Sequence, residues 1–577
     1  MKGHSMKTTI FLRGVACLLV VAALVFAVAS CRLPEFPNDI NPTPGLNPNT
    51  EPSTPVEYEL TEAEADALER KIENLYVLVS KGCSLDELTA EIAEVLDGVD
   101  YVYTQKNIAT VLSNRHTAEP KYLDMKDTAS DIYDTLYYSL EEFYSYLYSS
   151  EISFKSEFFA SWTEADIRRI QRHAALNLEE YFTLKSAARE LYAEAGKLNQ
   201  SLPDYQQTLD ALSKKIITAN NAIAAAFGYS NYVEYISEEY RYGSDYLEVL
   251  EGLKKNVTER LVPLAEKLKE KHTDQLKSLP QSVINEALGF TASRFDLKKS
   301  QAKLEEFTRS VNMTMFGYYC DLMDRKNYYL ITDNSVEGLP ANGSFTLYLP
   351  SQDRSIMYFG KNENDILSFI HMLGHYCTAA YNYGKEVSPE IAALQSIGLE
   401  YLYLAFVRDQ MSDAAYDYLV NYTLLSTLED TVTYLALGEL EYKLYTMSTE
   451  ELEVADISEL FKNICASYAK DTKKTFEEIF DSKYTQRRNT VIRSNFFSSL
   501  EKVGAAASAM ELYTIALGDY SAGTKSYFTL QFYPSSSHAQ TLSAARLQDP
   551  CSSDLCQKLA VFFNSDFLAK PEAAEAE

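Results

Sequence analysis

Apolar residues recur at helical spacing along most of the chain. Thr61-Glu62-Ala63-Glu64 has the form of a capping box and opens a run with Leu68, Ile72, Leu75 and Val79 on one face. A second run follows Ser84, with Leu85, Leu88, Ile92 and Val95 aligned. Periodic segments then cover residues 127–200, 205–226, 245–278 and 296–325, and Gly and Pro are sparse until about Gly338. Over residues 333–360 the period changes. Gly343 to Leu349 alternates, Pro350-Ser351-Gln352-Asp353 breaks the run, and Arg354 to Phe359 returns as a second strand. The pattern predicts a mainly α fold carrying a small β-hairpin. The tyrosine-rich stretch Tyr133–Tyr148 reads as amphipathic packing, because tyrosine buries its ring and keeps its hydroxyl wet.

The first 31 residues break this pattern. Lys2, Lys7 and Arg13 precede an uncharged run from Gly14 to Ser30, the charged and apolar regions of a secretory signal. Val28-Ala29-Ser30-Cys31 resembles a bacterial lipobox, with Cys31 as the lipid acceptor. An uncleaved anchor is the alternative, since 17 uncharged residues sit at the short limit for a span. Residues 31–58 carry seven of the 17 prolines and are expected to act as an extended tether. The expected location is the outer face of the cytoplasmic membrane, with lipid as the only membrane contact.

Charge narrows the partners. The 577-residue chain has a formal net charge of −29, which becomes −32 once residues 1–30 and their three cations are removed. Nucleic acid is excluded as a partner, because phosphates require a surplus of Lys and Arg. Cationic peptides remain compatible. Cys551 and Cys556 are close enough in sequence to bridge in an oxidising exterior, with two unpaired thiols as the alternative. Cys83, Cys320, Cys377 and Cys465 read as small core residues. Of seven histidines, His116, His173, His272 and His538 suggest no chemistry.

His371-Met372-Leu373-Gly374-His375 does. Asn362 or Asn364 is expected to cap this helix, with Glu363 and Asp365 in its first turn and its end near Gly384. Two histidines at i and i+4 share one face, the spacing for a single zinc ion. A metallopeptidase places Glu after the first histidine, as the base that activates the metal-bound water. Here that position is Met372, whose thioether cannot take a proton at neutral pH.

The chain resembles the oligoendopeptidase F and thimet oligopeptidase family of zinc metallopeptidases. Phe227-Gly228-Tyr229-Ser230-Asn231-Tyr232-Val233-Glu234-Tyr235 is similar to the Gly-Tyr-x-Asn-Tyr-x-Glu-Tyr signature of the oligoendopeptidase branch. Gly343–Leu349 matches the strand before the zinc helix. The segment Glu390 to Leu402 resembles the family helix Glu-Ile-His-Ser-Met-Ser-Met-Glu-Phe-Leu, whose first Glu is the third zinc ligand. The resemblance implies two helical lobes around a deep channel, with a small sheet next to the zinc helix. It places a signal at 1–30, a tether at 31–58, an N-terminal lobe at 59–215, a degenerate catalytic lobe at 216–565 and an acidic tail at 566–577.

The departures fall on the chemistry. The third-ligand position is Ala393, and the histidine that polarises the peptide carbonyl is replaced by Asn495. No tyrosine occurs between Tyr484 and Tyr513, where the family has its oxyanion donors. Glu400, on the same helix face as Ala393, is a substitute ligand for zinc with His371 and His375, although it matches the family's later Glu. Glu386 and Glu390 are further candidates. No catalytic residue is expected. The expectation is a pseudopeptidase holding a peptide or protein partner in the channel, with Gly343, Ser344, Phe345 and Thr346 as the edge that pairs with peptide. The alternatives are an active, atypical zinc endopeptidase and a structural surface module with a collapsed channel.

Overall fold

The computed structural model describes residues 56–239, 246–290, 296–330, 343–360, 365–382, 387–480, 483–494, 499–532 and 538–568. Cys31, Glu386 and Asn495, and most of the expected tether, lie outside them. Among the described residues no helix is long and apolar enough to cross a membrane.

Helices dominate, as the periodicity predicts. The first three are α1 (Glu62–Ser80), α2 (Leu85–Arg115) and α3 (Pro120–Ser149). The Thr61 capping box is formed, its side chain accepting from the Glu64 amide while Glu64 reaches back to the Thr61 amide. Leu68, Ile72, Leu75 and Val79 are buried, as are Leu88, Ile92 and Val95 of α2. Next come α4 (Lys155–Phe158), α5 (Glu164–Ala174), α6 (Leu178–Lys197), α7 (Tyr205–Ala226) and α8 (Tyr232–Glu239). The segment 127–200 therefore contains three full helices, punctuated by Thr163 and Asn177, whose side chains cap the amides of Asp166 and Glu180.

α9 (Tyr246–Asn256) runs through a π-helical turn at Val257–Leu261 into α10 (Val262–Ser278), where Pro263 occupies the start. After α11 (Gln281–Gly289), the periodic run 296–325 breaks at Asn312 into α12 (Leu297–Val311) and α13 (Met313–Asp324). Extended Asn312 caps the Met315 amide, so a polar cap splits what periodicity alone joins.

The predicted hairpin is β2 (Phe345–Leu349) and β3 (Arg354–Phe359), preceded by β1 (Tyr328–Leu330). The sheet order is β1-β3-β2, with β1 parallel and β2 antiparallel to β3. Then follow α14 (Ile366–Tyr381), α15 (Pro389–Phe406), α16 (Asp413–Thr446), α17 (Thr449–Val454) and α18 (Ile457–Tyr468). The chain closes with α19 (Phe476–Ile479), α20 (Lys483–Ser494), α21 (Ser499–Gly518), α22 (Tyr520–Phe532), α23 (His538–Ala544) and α24 (Ser553–Asp566).

Two large cores form, one from residues between Leu60 and Ile170 and one from residues between Tyr181 and Phe563. A third, small cluster sews α2 to the sheet: Ile108 and Val111 meet Tyr329, Leu349, Ile356 and Tyr358. Val56 is buried in this cluster, so the end of the expected tether is docked on the body. The Glu59 amide fixes it further by donating to Gln105 Oε1 at 2.8 Å. The tyrosine stripe is packing, with Tyr144 buried and Tyr138 edge-on to Tyr181 and His173.

Candidate functional site

α14 carries the histidine pair. Asp365, expected in the first turn, is instead the cap and accepts from the Ser368 amide at 2.9 Å. The helix ends at Tyr381, with Asn382 as its C-cap, rather than near Gly384. The helix has to cross α15 closely: a Cβ on Gly374 would lie 2.9 Å from Ser396 Cα and 3.0 Å from the Gln395 carbonyl oxygen. Only glycine permits that approach.

Behind the pair, a buried polar network locks α14, α15 and α22 together. Thr378 donates to Gln395 Oε1 at 2.9 Å, and Gln531 Nε2 donates to Thr378 Oγ1 at 2.6 Å and to the Gly374 carbonyl at 3.1 Å. Gln395 Nε2 donates to the Leu530 carbonyl at 2.6 Å, and the Tyr527 hydroxyl lies 2.7 Å from the Gln395 carbonyl. Removing one member strands the others without water, which is why such networks fix geometry.

The front of α14 faces a different environment. The rings of His371 and His375 lie 5.0 Å apart, nearly perpendicular. His371 Nδ1 is 2.6 Å from Glu400 Oε1 on α15. With the carboxylate accepting, Nδ1 holds the proton and Nε2 turns its lone pair the other way, as in carboxylate–histidine pairs that orient a metal ligand. His375 lies deep among protein atoms yet keeps some accessible surface. Burial, helped by the proximity of His371 and Lys502, pushes its pKa down to about 3, so it is neutral at physiological pH.

Met372 is 2% exposed and belongs to the large core, while Ala393 is half-buried beside that core. Neither supplies a base or a ligand. Glu400 is engaged with His371, and among the described residues no three His, Cys, Asp or Glu side chains are gathered to hold a metal. A catalytic zinc site uses three protein ligands and an open position. With Glu400 held on Nδ1 of His371, the two imidazoles leave that donor set one ligand short among the described residues.

Groups that sequence reading passed over converge here from α21, which packs along α15 and α16. Burial pushes the Glu501 carboxyl up to about 8; nearby Lys502 opposes this, and Glu390 and Glu441 reinforce it. Lys502 Nζ sits 4.6 Å from the Tyr434 ring centre. Glu390, a considered ligand, has a buried Oε2 without a hydrogen-bond partner. Glu441 instead faces Ser499, which donates to its Oε1 at 3.4 Å. A glutamate and a lysine opening a helix carry no signature of depth, so no sequence signal marks these two. His173 was also passed over; it is buried, 3.5 Å from Glu141 and edge-on to Tyr138 and Phe227.

The candidate edge belongs to the sheet that packs against α14. Gly343 and Ser344 precede β2, and Ser344 Oγ accepts from the Gly360 amide at 2.8 Å. Phe345 stacks on Tyr358 at 4.7 Å and Thr346 faces Met357 across the pair. Cys551 and Cys556 are free thiols here, each pushed up to about 12, mainly by burial. Cys320, Cys377 and Cys465 are buried, whereas Cys83 lies in the link before α2 and is half-buried.

Solved structures share this fold. A protein assigned to oligoendopeptidase F matches with a TM-score of 0.71 and 14% identity, over 90% of this chain and 99% of its own. PZ peptidase A, solved with an inhibitor, matches with a TM-score of 0.67 and 15% identity, over 89% and 99%. The fold is that of the oligoendopeptidase F and PZ peptidase A structures. Oligoendopeptidase F from Enterococcus faecium matches with a TM-score of 0.54 and 11% identity, over 88% and 96%. No protein-family model matches the sequence, and no curated protein does.

Proposed function

We propose that this chain is a lipid-anchored, cell-surface pseudopeptidase that binds peptides, or a peptide segment of a protein partner, without hydrolysing them. The observation that carries this reading is the replacement of chemistry inside a kept frame. Met372 is buried where a metallopeptidase has its base, and Glu400 is engaged with His371 Nδ1 instead of being gathered with the two imidazoles as a third ligand. Loss of a positioned base alone costs about 10²–10⁴-fold in rate. The expected channel is supported by His375, deep yet still accessible, and by an open stretch of edge at Phe345–Leu347. An oligopeptidase-like fold supports peptide as the ligand class, and acidic groups favour cationic sequences.

The test is direct. Purified protein mixed with fluorescent oligopeptides, with and without chelator, is expected to raise anisotropy and leave the peptides intact by mass spectrometry in both. Chelator-sensitive cleavage would sink the reading.

A further inference from the structure

We propose that helix α2 makes the peptide-pairing edge of β2 a dead end, so that the occupant is one terminus of a linear chain rather than a strand running through. This rests on the peptide-binding reading above. The register fixes which backbone groups are free. The Met357 amide donates to the Asn327 carbonyl, so Met357 faces β1 and its neighbours Ile356 and Tyr358 face β2. Their partners Leu347 and Phe345 therefore point their amides and carbonyls into the sheet. Thr346 and Tyr348 point theirs outward, to the edge.

Tyr348 is already taken. Asn107 Nδ2 of α2, itself 5% exposed, donates to the Tyr348 carbonyl at 2.8 Å. One turn away on α2, Thr104 Oγ1 accepts from the Ser351 amide at 3.0 Å, and farther along the Tyr358 hydroxyl donates to the Asn114 carbonyl at 3.1 Å. Burial follows the same division, with Phe345, Thr346 and Leu347 partly exposed and Tyr348 and Leu349 buried. Thr346 is then the open pairing residue of this edge, and its buried hydroxyl has no hydrogen-bond partner. An extended chain that pairs with Thr346 meets α2 two residues on, at Tyr348, and has to stop or leave the strand direction.

The experiment uses the full chain and one extended, lysine-rich oligopeptide in four forms: free, fused to a folded carrier through its N-terminus, through its C-terminus, and through both. The expected result is that one single fusion binds like the free peptide, while the other single fusion and the double fusion bind at least tenfold more weakly. The surviving fusion reports the polarity. Thr346→Pro deletes an amide that makes no bond to β3, so it is tolerated on an edge and is expected to weaken the free peptide about tenfold. Equal binding of the double fusion overturns this proposal alone. Absence of binding by every form overturns it together with the peptide-binding reading.

Discussion

Glu501→Gln tests whether the α21 carboxyl is as deep as its position implies. Burial raises its folded pKa from the ordinary 4.5 to about 8. Between those values the native state keeps a proton that the unfolded chain releases, so its contribution to stability falls as pH rises and levels off above pH 8. At about 1.4 kcal/mol per unit, the ceiling is roughly 5 kcal/mol. Residual solvent contact scales this to a few kcal/mol. Glutamine keeps the shape and removes the titration. Urea unfolding followed by far-UV circular dichroism is expected to give similar midpoints for variant and wild type near pH 5. Near pH 9 the variant becomes more stable. Taking the difference between the two proteins cancels every other titrating group. A difference that stays constant across pH would refute the depth assigned to Glu501.

Gly374→Ala pushes a methyl into Ser396 and the Gln395 carbonyl and is expected to cost about 1–3 kcal/mol, read as a lower urea midpoint. An unchanged midpoint would show that α14 and α15 can separate freely. Gln531→Leu removes the buried hydrogen bonds to Thr378 Oγ1, the Gly374 carbonyl and the Tyr527 hydroxyl and is expected to cost about 1–3 kcal/mol, with faster hydrogen exchange confined first to α14 and α22. Val56→Asp places a charge in the α2–sheet cluster; loss of roughly 2 kcal/mol or more is expected, with exchange rising in residues 104–114 and 345–358. Ala393→Glu supplies the missing donor, and equilibrium dialysis is expected to show it retaining zinc at a concentration where the unaltered protein does not.

Elements governed by local periodicity were legible. The Thr61 cap, the α1 face and the β2–β3 alternation are each encoded within a few residues of where they form. β1 was not, because Tyr328-Tyr329-Leu330 shows no alternation and becomes a strand only by lying parallel to β3. The break at Asn312 was missed because one polar cap outweighed a continuous apolar stripe. At the site, the shared helix face of His371 and His375 was readable from their spacing, while the roles given to Met372 and Ala393 rest on resemblance alone. The depth of Glu501 and the Thr378–Gln395–Gln531–Tyr527 network were not. Gln395 and Gln531 meet over 136 residues of chain, and no local pattern distinguishes a buried glutamine from a solvated one. The cap on Tyr348 has the same origin, since Asn107 lies 241 residues away.

The central claim is peptide binding without metal chemistry. It is tested most directly by one titration of protein purified without added zinc, in which bound peptide, peptide integrity and metal content are measured on the same sample, first without and then with chelator. The account predicts saturable binding of one intact peptide per chain and no stoichiometric zinc. Tightly retained zinc at one ion per chain, with peptide cleaved when the chelator is omitted, would contradict it.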